Sequence, residues 1–395
     1  MKDNDCILDD IIAEFGSDAP EEVVVKRDLP GEKQPVKVST KNEKPEKKSE
    51  KQSGSKKLLG ILAKTGLILL ETVLLLVVTL YGVMYVLAKG PSPTARDLFV
   101  RSVRETSAIG FLANIYFSDE EIAQIEAAQD VEEYAETDTS LITITKPAEQ
   151  DGPVADEWGL IDEDGDGIIL EEVKGEGYVG YMMIVLDPSR VIMGSVPSSY
   201  RIKGYTVEEM VQEFDGVAGI NAGGFYDPDG SGNGSIPDTL VVYEGKTYYA
   251  ANGVGNGFVG IDGDHILHVG KLSEKEIKER NIQYGVSFGP VLISNGEVAL
   301  AENNVGGLNP RTAIGQRSDG AILMLVVDGR QVASIGATYR DLVDIFLEYG
   351  AVNACNLDGG SSSMMWYGDR YVNNCASVIG IRPVPTAFVV LKEGG

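Results

Sequence analysis

Four short stretches of this chain combine residue types that bind oxygen anions or move protons. Asn356-Leu-Asp-Gly-Gly-Ser-Ser-Ser363 follows a short β-like run with a carboxylate, Asp358, two glycines, Gly359 and Gly360, and serines beginning at Ser361. A carboxylate at a strand end can act as acid, base or nucleophile, and adjacent N–H groups and hydroxyls can hold an oxyanion. Asn221-Ala-Gly-Gly-Phe-Tyr-Asp227 follows the β-like run Val217–Ile220. There, Gly223 and Gly224 allow backbone to approach a ligand, Asn221 can bond a hydroxyl or an anion, and Phe225 can stack. Asn309-Pro-Arg-Thr-Ala-Ile-Gly315 fixes Arg311 between Pro310 and Thr312 at a strand entry, and its planar fork suits a phosphate or carboxylate. Ser287 and its neighbours in Gly285-Val-Ser-Phe-Gly-Pro290 precede a further strand. Each stretch also has a plain structural alternative: a tight turn, a surface ion pair or an Asp-capped turn.

The elements that must position these groups follow from periodicity. β-like runs bounded by turns cover Tyr178–Leu186, Arg190–Met193, Thr239–Val242, Thr247–Ala250, Phe258–Ile261, His265–Val269, Ala321–Val327 and Gln331–Ser334. Capping boxes at Thr206, Ser273 and Thr338 open helices, the last running to Tyr349 and stopping at Gly350. Strands and helices do not alternate strictly, so the expectation is one mixed α+β domain over 177–393 with Gly-rich hairpins and a few helices. The 47 glycines carry no collagen period and mark its turns.

The 395-residue chain carries 60 acidic and 34 basic residues, a net charge of -26, which argues against a general nucleic-acid binder. Its two histidines make a multi-His metal site improbable. The charge is sorted: residues 1–32 hold 10 acids and 3 bases, residues 33–64 hold 10 bases and 3 acids, and the whole excess follows. Residues 1–57 read as a disordered cytoplasmic tail, in which Leu8, Ile11, Ile12 and Phe15 recur at helical spacing and mark a possible docking face for a cytoplasmic partner.

Within 58–90, residues 65–88 form an apolar run with one charge, Glu71, long enough to cross a bilayer. It begins too late and runs too long for a cleaved signal peptide, so it reads as an uncleaved single-pass anchor. Six lysines precede it within twenty residues, against Lys89, Arg96, Arg101 and Arg104 after it. That bias places the N-terminus inside the cell and the large domain outside. Residues 91–176 read as a helical stalk, with a Ser118–Glu121 capping box, followed by a loose acidic linker. In that linker, Asp162, Asp164 and Asp166 imitate the start of a calcium loop, but position twelve is Val173, so a solvated acidic segment is the better account. Cys355 and Cys375 would share the oxidising side, either as a disulfide or as two separate thiols.

Taken together and in this order, the four stretches resemble the phosphodiester glycosidase family, including its lysosomal catalytic domain and its membrane-anchored bacterial members of exopolysaccharide type. The resemblance covers roughly 177–393. It implies hydrolysis between a sugar's anomeric carbon and a phosphodiester, the phosphate staying on the other moiety. With the anchor ahead of the domain, it implies a cell-envelope or exopolysaccharide glycan as substrate. Asn221, Gly223, Gly224, Arg311, Asp358 and Gly359 match the family's pocket motifs. In the expected site Asp358 is the catalytic carboxylate, with Asp227 and Asp262 as backups. Arg311 and backbone N–H groups at Gly223/Gly224 or Gly359/Gly360 hold the phosphate, and Asn221, Phe225, Ser287 and Ser361 complete the pocket. No cofactor is expected, and a divalent metal stays open. The rival is a non-catalytic envelope glycan-binding or polysaccharide assembly protein that uses the same pocket.

Overall fold

The computed structural model describes residues 49–106, 109–127, 134–145, 155–227, 233–249, 257–302, 304–377 and 380–394. The N-terminal docking face and the rest of residues 1–48 lie outside them, whereas the end of the expected disordered tail, from Ser49, is helical. The chain divides into two units, Met1–Thr72 and Val73–Gly395. The boundary falls inside helix α1 (Ser49–Lys89), whose stretch Leu58–Lys89 is apolar and long enough to cross a membrane.

The second unit starts with a helical cluster. Helix α2 (Pro93–Arg104) is capped by Ser92, α3 is Phe111–Tyr116, and α4 (Asp119–Ala127) opens with the expected reciprocal Ser118–Glu121 bonds. Three further helices, α5 (Val207–Glu213), α6 (Glu274–Glu279) and α7 (Tyr339–Glu348), each have a complete capping box.

The strands, in chain order, are β1 (Ile168–Gly175), β2 (Tyr178–Val185), β3 (Val191–Ser195), β4 (Gly216–Asn221), β5 (Val241–Tyr243), β6 (Lys246–Tyr249), β7 (Phe258–Asp262), β8 (Leu267–Gly270), β9 (Ile282–Val286), β10 (Val291–Ser294), β11 (Glu297–Val298), β12 (Arg311–Arg317), β13 (Ile322–Val327), β14 (Ala351–Asn356), β15 (Met365–Tyr367), β16 (Arg370–Tyr371) and β17 (Thr386–Leu391). They form three sheets ordered β1-β2-β13-β12-β14-β10-β11, β16-β15-β4-β17-β3 and β6-β5-β9-β7-β8. The registered pairs are antiparallel, as expected of an α+β domain without βαβ crossovers.

One core joins inward residues of all three sheets, among them Met183, Ile314, Ile220, Phe388, Val259 and Val286. Helix α7 covers the other face of the seven-stranded sheet through Leu342, Ile345 and Phe346. Helix α5 covers the second sheet through Val207, Met210 and Val211.

Two expectations fail here. Gln331–Ser334 is not a strand: Gln331 and Ser334 bond each other's backbone in a tight turn. The acidic segment is not all loose linker. Ile168–Gly175 pairs with Tyr178–Val185 across eight residues as β1, because Ile169 and Val173 have a sheet face to bury against. Upstream, Asp156 and Trp158 clasp the fully buried Arg317, whose guanidinium bonds Asp156 at 2.7 Å and lies 3.9 Å over the Trp158 ring. Asp162 and Asp166 accept backbone N–H groups of Gly165, Gly167 and Ile168, and Asp166 also accepts the Tyr367 hydroxyl.

Candidate active site

The four motifs converge because two sheets meet at the end of β14. Strand β12 pairs with β14, so Leu357 donates its N–H to Thr312 O and the chain enters Asp358 close to Arg311. Asp358 N–H then bonds Ala222 O, just past the end of β4 in the second sheet. Asn221 completes the joint. Its Nδ2 donates to Asp358 O at 2.6 Å, and its Oδ1 accepts from Thr312 Oγ1 and Met364 N. Asn356 ties in the 285–290 segment by donating to Gly289 O.

The result is a cavity of about 640 Å³. Both Asp358 and Asp227 line it, as do three arginines, Arg311, Arg330 and Arg382. Arg382 pairs with Asp227 at 2.8 Å, bonds Ser361 Oγ at 3.1 Å and lies 4.9 Å over the Phe225 ring. Arg330 stands exposed at the rim and bonds Thr106 Oγ1 and Asn309 Oδ1. Enclosure pushes the Asp358 carboxyl up to about 7, and Asp227 adds to the rise. Bonds from Ser362 and the Gly359 N–H, and the charge of Arg382, oppose it without cancelling it.

Arg311 is not the exposed anion fork that its sequence context suggests. It is 4% exposed. Its Nε donates to Ala337 O, and its Nη2 donates to Gly307 O and to Glu105 Oε2, the last at 2.8 Å. The guanidinium also lies 4.2 Å from the Tyr339 ring. Burial pulls its pKa down, but Glu105 and Tyr339 more than restore it, so the proton is firmly held.

Other expected roles change for similar reasons. Gly223 N–H is taken by Thr386 Oγ1, and Gly360 N–H by Pro310 O, so neither is free to cradle phosphate. Gly359 N–H bonds the Asp358 carboxylate instead. A Cβ on Gly359 would meet Pro310 O at 2.8 Å, which explains the glycine as a close backbone crossing. Gly224 does line the cavity, while Asn221 and Ser287 are buried outside the lining, Ser287 donating to Gly257 O. Asp262 is remote from the cavity lining and bonds His268 at 2.8 Å. Cys355 and Cys375 are free thiols, near Pro290 O and Ser361 O respectively, so no disulfide joins them.

Sequence reasoning passed over Arg330, Arg382 and Glu105. Arg330 follows the Asp328-Gly329 turn, and Arg382 adjoins Pro383 as Arg311 adjoins Pro310, which was the available signal. Glu105, at the C-cap of α2, offered none.

Residues 214–391 match the family model described as phosphodiester glycosidase. This segment is thus similar to the phosphodiester glycosidases. Over 176 residues it is 30% identical to the N-acetylglucosamine-1-phosphodiester alpha-N-acetylglucosaminidase of Bos taurus, covering 40% of this chain and 32% of the bovine protein. Over 81 residues it is 43% identical to YomE, an uncharacterized SPbeta prophage-derived protein of Bacillus subtilis strain 168, covering 20% of this chain and 13% of that protein. The chain thus spans a third or less of the length of these relatives. A solved catalytic domain of the zebrafish N-acetylglucosamine-1-phosphodiester alpha-N-acetylglucosaminidase aligns with a TM-score of 0.48 at 20% identity, covering 63% of this chain and 86% of that one.

Proposed function

We propose that this chain is a membrane-tethered hydrolase that cleaves the bond between a sugar's anomeric carbon and a phosphodiester oxygen, on a cell-envelope or exopolysaccharide glycan outside the cell. The observation that carries this reading is the placing of four carboxyl groups, Glu105, Asp227, Asp238 and Asp358, and three guanidinium groups around one cavity. Arg330 and Arg382 hold the nonbridging phosphate oxygens, and Arg311, locked by Glu105, fixes the wall behind them. The leaving phosphate needs little protonation, so the demand falls on the sugar, where positive charge develops at C1. Asp227, held by Arg382, faces that charge. Asp358, with its pKa near neutrality, takes a proton from the attacking water. The water oxygen bonds C1, the C1–O bond breaks with its electron pair passing to the phosphate oxygen, and the products are a free sugar and a phosphomonoester.

The lysine-rich flank of α1 supports an inside N-terminus and an outside domain. The reading is tested by incubating the full chain in nanodiscs with sugar-1-phosphodiesters and following free reducing sugar. Release that disappears in Asp358→Asn is expected. Tight binding without release would favour the non-catalytic glycan-binding reading instead.

A further inference from the structure

Helix α3 leaves an apolar face uncovered. Phe111 and Ile115, one turn apart, are 63% and 51% exposed. The opposite face is closed: Ala113 is buried, and Leu112 and Tyr116 pack with Phe99, Ile122, Met84 and Ala88. Met84 and Ala88 belong to the apolar helix α1. Tyr116 sits 5.5 Å from the Tyr81 ring and donates its hydroxyl to Tyr81 O. Lys89 pairs with Glu121 and lies 4.2 Å over the Phe117 ring.

Scattered apolar residues on a surface need no explanation. These belong to a helix whose other face packs on one end of a helix that is long and apolar enough to cross a bilayer. Tyr81 lies two turns before the end of α1 at Lys89, so α3 is set back along it by about 12 Å. Tyr81, Tyr85 and Lys89 are the residue types that settle at a membrane–water boundary. Tyr116 of α3 packs on that band.

The same segment reaches the cavity. Glu105, Thr106 and Ile109 line it, and Phe111 follows Ile109 by two residues, at most about 7 Å of chain. The stalk is therefore no spacer, since one end packs on α1 and the other borders the site.

The geometry points to a bilayer as the occupant of this face: Phe111 and Ile115 bed into the boundary of the membrane that α1 crosses, and the cavity receives a sugar phosphodiester carried on a membrane lipid. This rests on the tether and the hydrolytic activity proposed above. What selects a membrane over a protein partner is the packing of α3 itself on the apolar helix.

The test uses the full chain in nanodiscs of phosphatidylcholine and phosphatidylglycerol, with plain or brominated acyl chains. A Phe111→Trp variant should lose fluorescence in the brominated lipid, while Val332→Trp, at a fully exposed position, should change no more than the native Trp158 and Trp366 background. Equal signals from Phe111→Trp in both lipids would overturn the docking. The substrate half uses two N-acetylglucosamine-1-phosphate diesters, one dodecyl and inserted in the disc, one methyl and soluble. A Phe111→Ser, Ile115→Ser double variant should lose about tenfold or more in kcat/KM on the dodecyl ester only. Unchanged or equal losses on both would overturn a lipid-borne substrate. If the unmodified chain cleaves neither ester, the hydrolytic reading fails for this sugar, and the fluorescence result decides the docking alone.

Discussion

Glu105 Oε2 lies 2.8 Å from Arg311 Nη2, joining the helical stalk to the first residue of β12. Glu105 also accepts from Gly307 N and Asn309 Nδ2, so one carboxylate fixes the loop, the arginine and a cavity wall. Removing it strands a guanidinium that is almost wholly buried. Glu105→Ala is expected to lower unfolding stability by about 2–3 kcal/mol, below the usual figure for a fully buried pair because Glu105 keeps some solvent. Urea unfolding followed by tryptophan emission, compared with Arg311→Ala and the double variant, measures the coupling; additive losses would show that the pair does not act as a unit.

Asp358 should hold a different balance between stability and activity. Its carboxyl is raised to about 7 in the folded chain, above its value when unfolded. Between roughly pH 4 and 7 the folded state therefore binds the extra proton, and stability declines as pH rises through that window. Asp358→Asn removes this penalty. It should unfold at higher urea than the unmodified chain at pH 7.5, by up to about 2–4 kcal/mol, and match it near pH 4. A lower midpoint at pH 7.5 would contradict the strained carboxylate.

The pH profile of turnover follows from the same group. If Asp358 accepts the water proton, kcat rises as pH passes through about 7 and levels off above it. A profile that instead falls through 7 would assign Asp358 to proton donation. Asp358→Asn should reduce kcat by about a thousandfold or more.

The two arginines that sequence reasoning passed over separate by what they touch. Arg382 holds both Asp227 and Ser361, so Arg382→Ala should reduce kcat as well as binding. Arg330 stands at the rim with no carboxylate partner among the described contacts, so Arg330→Ala should mainly raise KM, by about tenfold. Steady-state kinetics on one sugar-1-phosphodiester tells these apart. Equal effects on kcat from both would remove the distinction.

Arg317 tests how far the domain extends. Asp156→Ala and Trp158→Ala each should cost about 1–2 kcal/mol by removing one carboxylate or the ring cover from a fully buried guanidinium that keeps Asp319 as partner. Unchanged urea midpoints would restore the acidic segment to the status of a linker.

Local rules recovered much of the architecture. The capping boxes at Thr206, Ser273 and Thr338 each start a helix where expected, because a cap depends on residues three apart. Asp358 and Arg311 do border one cavity, because adjacent strands deliver them. Gly223 and Gly360 turn their N–H groups to acceptors distant in the chain, Thr386 Oγ1 and Pro310 O, which no local pattern announces. Strand β1 was hidden by its charge: Glu171 and Glu172 are tolerated on an outer strand anchored by the buried Ile168, Ile169 and Val173. Glu105 was beyond reach, since its partners lie some two hundred residues later in the chain.

The sheet order has a consequence for dissecting this protein. Strand β2 lies between β1 and β13, and β3 flanks β17, yet β1, β2 and β3 all precede the segment that matches the family. A fragment starting at residue 214 would leave β13 and β17 with bare hydrogen-bonding edges lined by Leu323, Leu325, Phe388 and Val390. Exposed hydrophobic edges of that kind recruit other chains. The stretch by which this protein is recognised is thus shorter than the stretch that can fold, and expressing it alone should yield aggregates rather than a weakened enzyme.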